Sequence, residues 1–418
     1  MERNDSEFTP TEERKVKQTT FESKTTLKES QFDLTKTMKT IKVGKSQKRN
    51  KRLWDISKPL TIDNFEFVTK LGNGAFGQVN LVKCDTNGGL YALKELSKQE
   101  IVRYDRVRHT LREKTILYEL DHPNIVRLER TFKTDEFCYL CLEYCQVGEL
   151  SSLIKHQRVL SLELTKFYTM EIINAFEYLR KHRIVHRDIK PENILLDEHF
   201  HVKLSDFGTA KKIDPDEVYS EMKDLDFDFE NCSSSDSDNE SLEFGMQDSD
   251  ASTVQNMSNR ANSFIGTPLY ISPEMLRYNS ASYASDLWGL GCIIYQCLWG
   301  RPPFMGSTED EVFDMILEWR IQFPPDFDED AKDLIENLLK LNPFERLGAS
   351  HDNSENDLSH LKKHKFFGKQ GLFTKIKFSN VHNKKPWVPE SFVKMVKQRV
   401  AESTGEDPNL EDIQVPDL

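Results

Sequence analysis

The 418-residue chain lacks a hydrophobic run long enough to cross a membrane. Its most apolar stretch is Leu287–Trp299, whereas a bilayer-spanning helix needs about 20 apolar residues. We therefore expect this stretch to form a buried core helix.

Patterned cysteines are also lacking. Seven cysteines are present, and the metal-like spacing Cys138-x-x-Cys141, with Cys145 nearby, has no second pair or histidine pair to complete a zinc set. Nothing resembles a secretory signal peptide. These features favour free, apolar thiols in a reducing cytoplasmic or nuclear compartment.

Acidic residues are concentrated in one segment. Residues 213–258 contain fourteen aspartates and glutamates and one lysine, which accounts for about the whole net charge of −12. Chains of like charge with few aromatic residues bury too little apolar surface to fold. We therefore expect residues 213–258 to form a disordered acidic insertion.

Basic residues instead accumulate at positions 36–58, inside a polar tail that we expect to be disordered over residues 1–60. A solvated flexible leader is the favoured interpretation. The alternative is weak peripheral contact with an anionic membrane, at about 1 kcal/mol per basic residue. Because no recognition motif or interleaved aromatic residue accompanies these lysines, we expect no nucleic-acid partner.

Two motifs contain the side chains that phosphoryl transfer requires. Residues 186–193 read His-Arg-Asp-Ile-Lys-Pro-Glu-Asn, and residues 206–208 read Asp-Phe-Gly. The reaction needs a carboxylate to orient the attacking hydroxyl, an amide and a second carboxylate to hold Mg²⁺, and a cation for the phosphates. Asp188, Asn193, Asp206 and Lys190 supply these groups in that order, which predicts an ATP- and Mg²⁺-dependent phosphotransferase.

A glycine-rich turn at residues 72–77 supports this interpretation. Alternating apolar residues on either side predict two flanking strands. By itself, GxGxxG also fits a tight hairpin or a dinucleotide-binding turn, but the latter requires a following helix. Because a strand follows, the pattern favours a loop whose backbone N–H groups close over phosphates.

Lys94 is the second cation of the predicted site. It ends the sequence Tyr-Ala-Leu-Lys at residues 91–94, in which Ala92 and Lys94 share one face of a strand. A buried lysine needs a partner, and we choose Glu113 in the following helical stretch over the alternative of an ordinary exposed carboxylate.

The overall pattern predicts an α+β protein kinase fold with two lobes. Residues 61–143 are expected to form a small, mainly antiparallel lobe with one main helix. Residues 146–370 form a larger helical lobe, since apolar residues recur at helical spacing from Ser161 to about Lys181. We thus expect a kinase domain over 61–370 and a carboxy-terminal extension over 371–418.

Over about residues 60–370 the chain resembles the phosphoinositide-dependent protein kinases of the AGC group. The resemblance is carried by Asp-Phe-Gly-Thr-Ala-Lys at 206–211 and Ala-Asn-Ser-Phe-Ile-Gly-Thr at 261–267. It implies a serine/threonine kinase that phosphorylates the activation loops of other AGC kinases. The alternatives are another AGC or calcium-regulated kinase, and a pseudokinase scaffold, which the complete catalytic set disfavours.

The resemblance also assigns site residues by position. It implies that Asp188, Lys190, Lys94 and Glu113 are catalytic and that Asn193 and Asp206 are metal ligands. Asp286 should brace the catalytic loop, and Arg346 should pair with Glu274. The expected ATP-binding residues are Leu71, Gly72, Asn73, Gly74, Ala75, Phe76, Gly77, Val79, Ala92, Lys94, Leu142, Glu143, Cys145, Glu149, Glu192, Asn193, Leu195 and Asp206.

Regulation follows from the same resemblance. Ser263 would be autophosphorylated and its phosphate bound by Arg187, since a guanidinium binds phosphate in fork geometry. Substrate kinases would dock by their hydrophobic motif in a groove lined by Ile101 and Val102, with Lys98 and Lys114 near a phosphate.

We expect two features of the family to be lacking in this sequence. About 50 residues follow Phe367, which is too few for the carboxy-terminal lipid-binding domain of animal members. A Phe-x-x-Phe tail is also lacking, which agrees with a groove left for partners. We expect a monomer.

Overall fold

The computed structural model describes residues 60–74, 77–104, 107–223, 225, 269–350, 356–368 and 377–405. Residues from Asp55 onward belong to one compact unit. The predicted basic tail, Ala75, Phe76, Ser263 and most of the predicted acidic insertion lie outside the described residues.

The amino-terminal lobe is built on an antiparallel sheet. Within the described residues its strands are β1 (Phe65–Gly74), β2 (Gly77–Cys84), β3 (Leu90–Ser97), β4 (Leu128–Lys133) and β5 (Phe137–Glu143). They lie in the order β1-β2-β3-β5-β4. Leu81, Leu93 and Leu140 on the central strands are almost fully buried. The two strands predicted to flank the glycine turn are confirmed.

Helices lie between β3 and β4 and dominate the second lobe, which confirms the α+β class. Within the described residues they are α1 (Lys98–Arg103), α2 (Val107–Glu119), α3 (Leu150–Gln157), α4 (Leu162–Lys181), α5 (Pro215–Lys223), α6 (Pro273–Tyr278), α7 (Tyr283–Trp299), α8 (Glu309–Leu317), α9 (Glu329–Leu338), α10 (Leu358–Lys362), α11 (Lys365–Gly368) and α12 (Glu390–Thr404).

Helices α4 and α7 form the centre of the second lobe. Helix α4 begins where the sequence predicts, since the Ser161 side chain accepts a hydrogen bond from the Leu164 amide and caps the first turn. Helix α7 is the predicted core helix: Leu287, Trp288 and Leu290 are fully buried. Its apolar surface packs against α4 and α9.

Short strands in the second lobe carry the loops between these helices. They are β6 (Gly148–Glu149), β7 (Ile184–Val185), β8 (Ile194–Leu196), β9 (Val202–Leu204) and β10 (Lys211–Lys212). Strand β8 lies between β6 and β9, and β10 pairs with β7. The catalytic-loop residues Asp188, Lys190 and Asn193 therefore follow β7, and Asp206 follows β9.

A buried ion pair fixes α6 to the rest of the lobe. Arg346 donates to both carboxylate oxygens of Glu274, at 2.7 and 2.6 Å, and both side chains are fully buried. Burial acts to raise the pKa of Glu274, but the Arg346 charge and hydrogen bonds outweigh it and the pKa is lowered. The contact expected between these two residues is present.

The prediction of disorder from residue 213 is wrong for the first part of the acidic segment. Residues 215–223 form helix α5, and Tyr219 and Met222 are buried. The Tyr219 hydroxyl donates to the Ala349 carbonyl at 2.5 Å. Its ring packs edge-on against Phe344, with centroids 5.8 Å apart. This helix thus docks on the lobe that contains α7.

The positions of the acidic residues explain why charge does not prevent this helix. Pro215 occupies its first turn, together with Asp216 and Glu217, where proline is tolerated and carboxylates interact favourably with the helix dipole. Lys223 occupies the last turn. Acidic composition therefore favours α5 locally, and its apolar residues provide the surface that docks.

No helix among the described residues is both long and apolar enough to cross a membrane. The expected core role of Leu287–Trp299 agrees with this finding.

We predict that Met222→Ala destabilises the protein. Because Met222 is fully buried, the substitution should lower the free energy of unfolding by about 2–4 kcal/mol. Glu221→Ala, on the exposed face of the same helix, should change it by less than about 0.5 kcal/mol. Urea denaturation followed by circular dichroism measures both, and equal effects would show that α5 does not dock.

Candidate active site

The catalytic loop holds three of the predicted side chains in contact. After β7 the chain turns through Arg187, which has φ +70°. The Lys190 ammonium lies 2.8 Å from the Asp188 Oδ2 atom. The Asn193 Nδ2 atom donates to the same oxygen and to the Asp188 carbonyl, at 2.8 Å each. Asp188 is therefore fixed by a cation and an amide at one end of its carboxylate.

Asp286 is hydrogen-bonded to the backbone of this loop, as expected. Its two carboxylate oxygens accept hydrogen bonds from the His186 and Arg187 amides, at 2.9 Å each. Burial raises the pKa of Asp286 against the effect of these hydrogen bonds. Since Asp286 lies in the first turn of α7, the loop is attached to the most buried helix of the lobe.

Lys94 connects the two lobes. Its ammonium lies 2.7 Å from Glu113 Oε1 and 3.3 Å from Asp206 Oδ1. Burial acts to lower the pKa of Lys94, but the charges of Asp206 and Glu113 outweigh it and raise the pKa. The same Lys94 charge lowers the pKa of Asp206. The predicted pair of Lys94 and Glu113 is present, and Lys94 is cationic.

The Asp-Phe-Gly segment is held in place by its middle residue. Asp206 has φ +57°, and the neighbouring Phe207 is fully buried, with its ring centroid 4.7 Å from that of His186. Ser205 donates through its amide to the Asn193 carbonyl at 2.9 Å. These contacts place Asp206 beside Asn193.

The donor atoms of Asn193 and Asp206 suit Mg²⁺. Because the Asn193 amide nitrogen is bound to Asp188, the amide oxygen is the donor that remains for a ligand. The Asp206 carboxylate is about half exposed, at 52%, and its lowered pKa keeps it anionic. Mg²⁺ prefers such hard oxygen donors and binds proteins through only a few of them.

The glycine turn lies between β1 and β2, where Gly74 pairs with Gly77. A Cβ atom on Gly77 would lie 1.8 Å from the Glu95 carbonyl oxygen, so any side chain there is excluded. Gly72, Asn73 and Leu71 are exposed on β1. Glycine at position 77 is therefore required by the close packing of β2 against β3, and the approach of this turn to phosphates stays a prediction.

The residues expected around adenine come from neighbouring strands. Ala92 pairs with Leu142, and Val79 pairs with Lys94. Leu195 lies on β8 opposite Glu149 of β6. Cys145 is buried, and its carbonyl accepts from the Gly148 amide at 3.1 Å. The structure thus brings strand residues of the first lobe and strands β6 and β8 of the second lobe close to residues 144–147, which form the interlobe linker.

Glu149 and Glu192 are exposed. The Glu149 carboxylate accepts from the Ser151 hydroxyl at 2.6 Å, and Glu192 lies in the short helical turn Pro191–Asn193. Their expected contacts with nucleotide or substrate stay predictions.

Two residues that organise the loop, His186 and Thr209, had no role assigned from the sequence. His186 is fully buried, and its Nε2 atom lies 2.9 Å from the Ser205 carbonyl. The Thr209 hydroxyl donates to the His186 carbonyl at 3.1 Å, and the Thr209 carbonyl accepts from Arg187 Nε at 2.5 Å. The available signal was their position, since His186 begins the catalytic-loop motif and Thr209 follows Asp-Phe-Gly. Their contacts are visible only in the fold.

The predicted docking residues are only partly arranged as a surface groove. Val102 is 61% exposed, but Ile101 is buried. Lys114 is also buried, and burial lowers its pKa. The Lys98 ammonium donates to the Thr134 and Asp135 carbonyls, at 2.5 and 3.1 Å. Ile101 and Lys114 depart from the expectation because both side chains are buried.

A comparison with known families decides the class of this cleft. The sequence profile of the protein kinase domain matches residues 65–227 and 238–367. The chain belongs to the protein kinase family. Its kinase domain is of the serine/threonine AGC type.

Curated relatives agree. The chain is 37% identical over 324 residues to 3-phosphoinositide-dependent protein kinase 1 of Rattus norvegicus, which covers 78% of this chain and 49% of that protein. It is 36% identical over 324 residues to putative 3-phosphoinositide-dependent protein kinase 2 of Homo sapiens, covering 78% and 70%. The RAC serine/threonine-protein kinase of Drosophila melanogaster is 33% identical over 310 residues, covering 74% and 43%.

The matched region of this kinase spans about half the length of several of these relatives, such as the rat protein. The similarity to the phosphoinositide-dependent kinases expected from the sequence is confirmed, and it concerns the kinase domain.

We predict that Glu113→Gln slows this kinase. The substitution removes the charge-assisted hydrogen bond that positions Lys94, worth about 1.5–3 kcal/mol, which corresponds to roughly a 10- to 100-fold loss in kcat/KM. The matched control is Glu119→Gln on the same helix, since Glu119 pairs with Lys212 at a more exposed position. Steady-state peptide phosphorylation measures both variants. Equal losses would contradict a special role for Glu113.

Proposed function

We propose that this protein transfers the γ-phosphate of ATP to serine or threonine residues in the activation loops of other AGC kinases. The observation that carries the proposal is the convergence of Lys94, Asp188, Asn193 and Asp206 around one cleft, each already fixed by a hydrogen bond or ion pair. Phosphoryl transfer depends mostly on such positioning and on electrostatic stabilisation.

We propose a task for each side chain. Asp188 accepts the hydrogen bond of the acceptor hydroxyl and orients it toward the γ-phosphate. Lys190, 2.8 Å from Asp188, offsets negative charge on the transferred group. Lys94 binds the phosphates and is itself held by Glu113. Because these groups are preorganised, little reorganisation is needed during the reaction.

Asn193 and Asp206 would hold Mg²⁺ through their oxygen atoms. The ion, when bound, neutralises charge on the phosphates and so favours attack by the hydroxyl. Leu71, Val79, Ala92, Leu142 and Leu195 would enclose the adenine, with its edge bound by the backbone of Glu143 and Cys145.

The choice of AGC activation loops rests on similarity to kinases that carry the name 3-phosphoinositide-dependent protein kinase. The alternative, another kind of AGC kinase, has its own support in the similarity to the RAC kinase. Ser263, as the site of autophosphorylation bound by Arg187, and weak membrane contact through residues 36–58, belong to the same proposal. The described cysteines are free thiols, which agrees with a cytoplasmic site of action.

We predict that the purified protein phosphorylates a peptide containing Thr-Phe-Cys-Gly-Thr faster than a scrambled peptide, in the presence of Mg-ATP. Asp188→Asn should lower the rate by about 10²- to 10⁴-fold because the acceptor hydroxyl loses its carboxylate. Asp214→Asn is the control, since Asp214 pairs with Arg183 away from these contacts. Radiolabel incorporation measures the rates, and phosphosite mapping of wild type and Asp206→Asn tests Ser263.

Two results would oppose the proposal. Equal rates for wild type and Asp188→Asn would exclude the catalytic assignment. Equal rates on the specific and scrambled peptides would exclude the AGC activation loop as the preferred substrate, while leaving the kinase activity in place.

We propose further that substrates dock near α1 through a phosphorylated hydrophobic motif. Val102 and Tyr104 supply exposed apolar surface there, at 61% and 54%. The Lys98 ammonium donates to two backbone carbonyls. A bound phosphate would replace these carbonyls as its hydrogen-bond partner. This arrangement gives the surface an apolar part and a cation.

We predict that Lys98→Glu weakens binding of a phosphorylated hydrophobic-motif peptide about tenfold or more, because a charge-assisted contact becomes a repulsion. Lys155→Glu, an exposed charge reversal on α3, should leave the affinity unchanged. Fluorescence anisotropy with a labelled peptide gives the dissociation constants. Binding to Lys98→Glu as tight as to wild type would remove Lys98 from the docking site.

A further inference from the structure

Helix α12 lies beyond the region that matches the kinase family, which ends at residue 367. It is nevertheless seated on the second lobe. Four apolar side chains on one side of the helix are almost fully buried: Phe392, Val393, Val396 and Val400. The helix is therefore an integral part of the fold, and it also contacts β1 of the first lobe.

Helix α12 packs against α3, the helix that follows the interlobe linker. The Phe392 ring lies 5.4 Å from the His156 ring of α3 and 6.1 Å from the Phe200 ring. Gln157, the last residue of α3, donates to the Ser391 hydroxyl at 3.2 Å. These contacts fix both the position of α12 along α3 and its rotation.

One charged side chain of α12 reaches the linker. The Arg399 Nη2 atom donates to the Gln146 carbonyl at 2.9 Å and to the Val147 carbonyl at 2.7 Å. These two residues directly follow Cys145. A guanidinium that binds two successive carbonyls restricts the rotation of the peptide units that carry them.

The other side of the linker is held by the second lobe. The Val147 amide donates to the Leu196 carbonyl at 3.2 Å, and the Gly148 amide donates to the Cys145 carbonyl at 3.1 Å. Gly148 has φ +90°, a conformation that glycine adopts without steric cost. The linker after Cys145 thus lies between β8 and Arg399.

We propose that Arg399 is a positioning residue for the nucleotide: by binding the Gln146 and Val147 carbonyls, it sets the orientation of the backbone at Cys145 that meets the adenine edge. Helix α12 thereby contributes to ATP affinity without contacting ATP. The inference rests on the nucleotide binding proposed above. It predicts an effect on nucleotide binding and none on the chemical step.

The test uses the full chain with the substitutions Arg399→Ala and Arg399→Lys. Arg399→Ala should weaken binding of a non-hydrolysable ATP analogue with Mg²⁺ about three- to tenfold, and raise the KM for ATP by the same factor, because two charge-assisted hydrogen bonds are lost. The kcat and the KM for the peptide should change by less than about twofold. Arg399→Lys, which keeps a cation but replaces the planar guanidinium whose Nη2 atom binds both carbonyls, should restore part of the affinity.

The control is Lys394→Ala, which removes a positive charge from the solvent face of the same helix, where Lys394 pairs with Glu390. Its nucleotide affinity should equal that of wild type. Calorimetry gives the dissociation constants, and thermal unfolding reports whether α12 remains seated. An unchanged midpoint is expected for Lys394→Ala, and a small decrease for the two Arg399 variants, which lose intramolecular hydrogen bonds.

The outcomes separate the two proposals. If wild type binds the analogue and Arg399→Ala binds it equally well, the role of Arg399 is overturned while the kinase function stands. A lower unfolding midpoint of Arg399→Ala with a parallel fall in kcat would show that the residue is merely structural. Failure of wild type to bind the analogue would overturn both proposals.

Discussion

A carboxylate that is carried into the interior must meet a cation or a set of hydrogen-bond donors. That constraint organises the cleft. Asp286 meets two backbone amides of the catalytic loop, Glu274 meets Arg346, and Glu113 meets Lys94. Each contact joins elements that are far apart in the chain. The fold must therefore close correctly at three places before the catalytic side chains can converge.

The contact between Glu113 and Lys94 has the widest consequence. Lys94 also lies 3.3 Å from Asp206, so α2, β3 and the Asp-Phe-Gly segment share one charged network. Moving α2 away would leave a buried carboxylate without its cation, which is costly. The position of this helix and the charge state of Asp206 are thus parts of a single arrangement.

The sequence predicts best where chemistry and neighbours along the chain coincide. The catalytic loop is short, so the match of residues 186–193 to a kinase motif placed Asp188, Lys190 and Asn193 together. The cation Lys94 could be given Glu113 because a buried lysine requires a partner and α2 offered one. Helix α5 was missed because the charge of residues 213–258 was taken as a whole. Its few apolar residues contact Phe344 and Ala349, which are distant in sequence.

The docking residues and Arg399 were beyond sequence reasoning for a related reason. Whether Lys114 presents its charge depends on what covers α2, and the structure buries it. Arg399 belongs to a segment whose helical pattern does not reveal which surface it meets. Side-chain contacts with backbone carbonyls leave no pattern in the sequence, since every residue has a carbonyl.

Hydrogen bonds hold the linker between the two lobes on both of its sides. The Gln146 and Val147 carbonyls are bound by Arg399, and the Val147 amide is bound to Leu196. Leu196 belongs to the second lobe, whereas Arg399 lies on α12, which contacts both α3 and β1. Glu143 remains part of the sheet, paired with Tyr91. Tyr144 and Cys145 thus lie between the sheet of the first lobe and a linker segment held by β8 and α12, at the edge where adenine would bind.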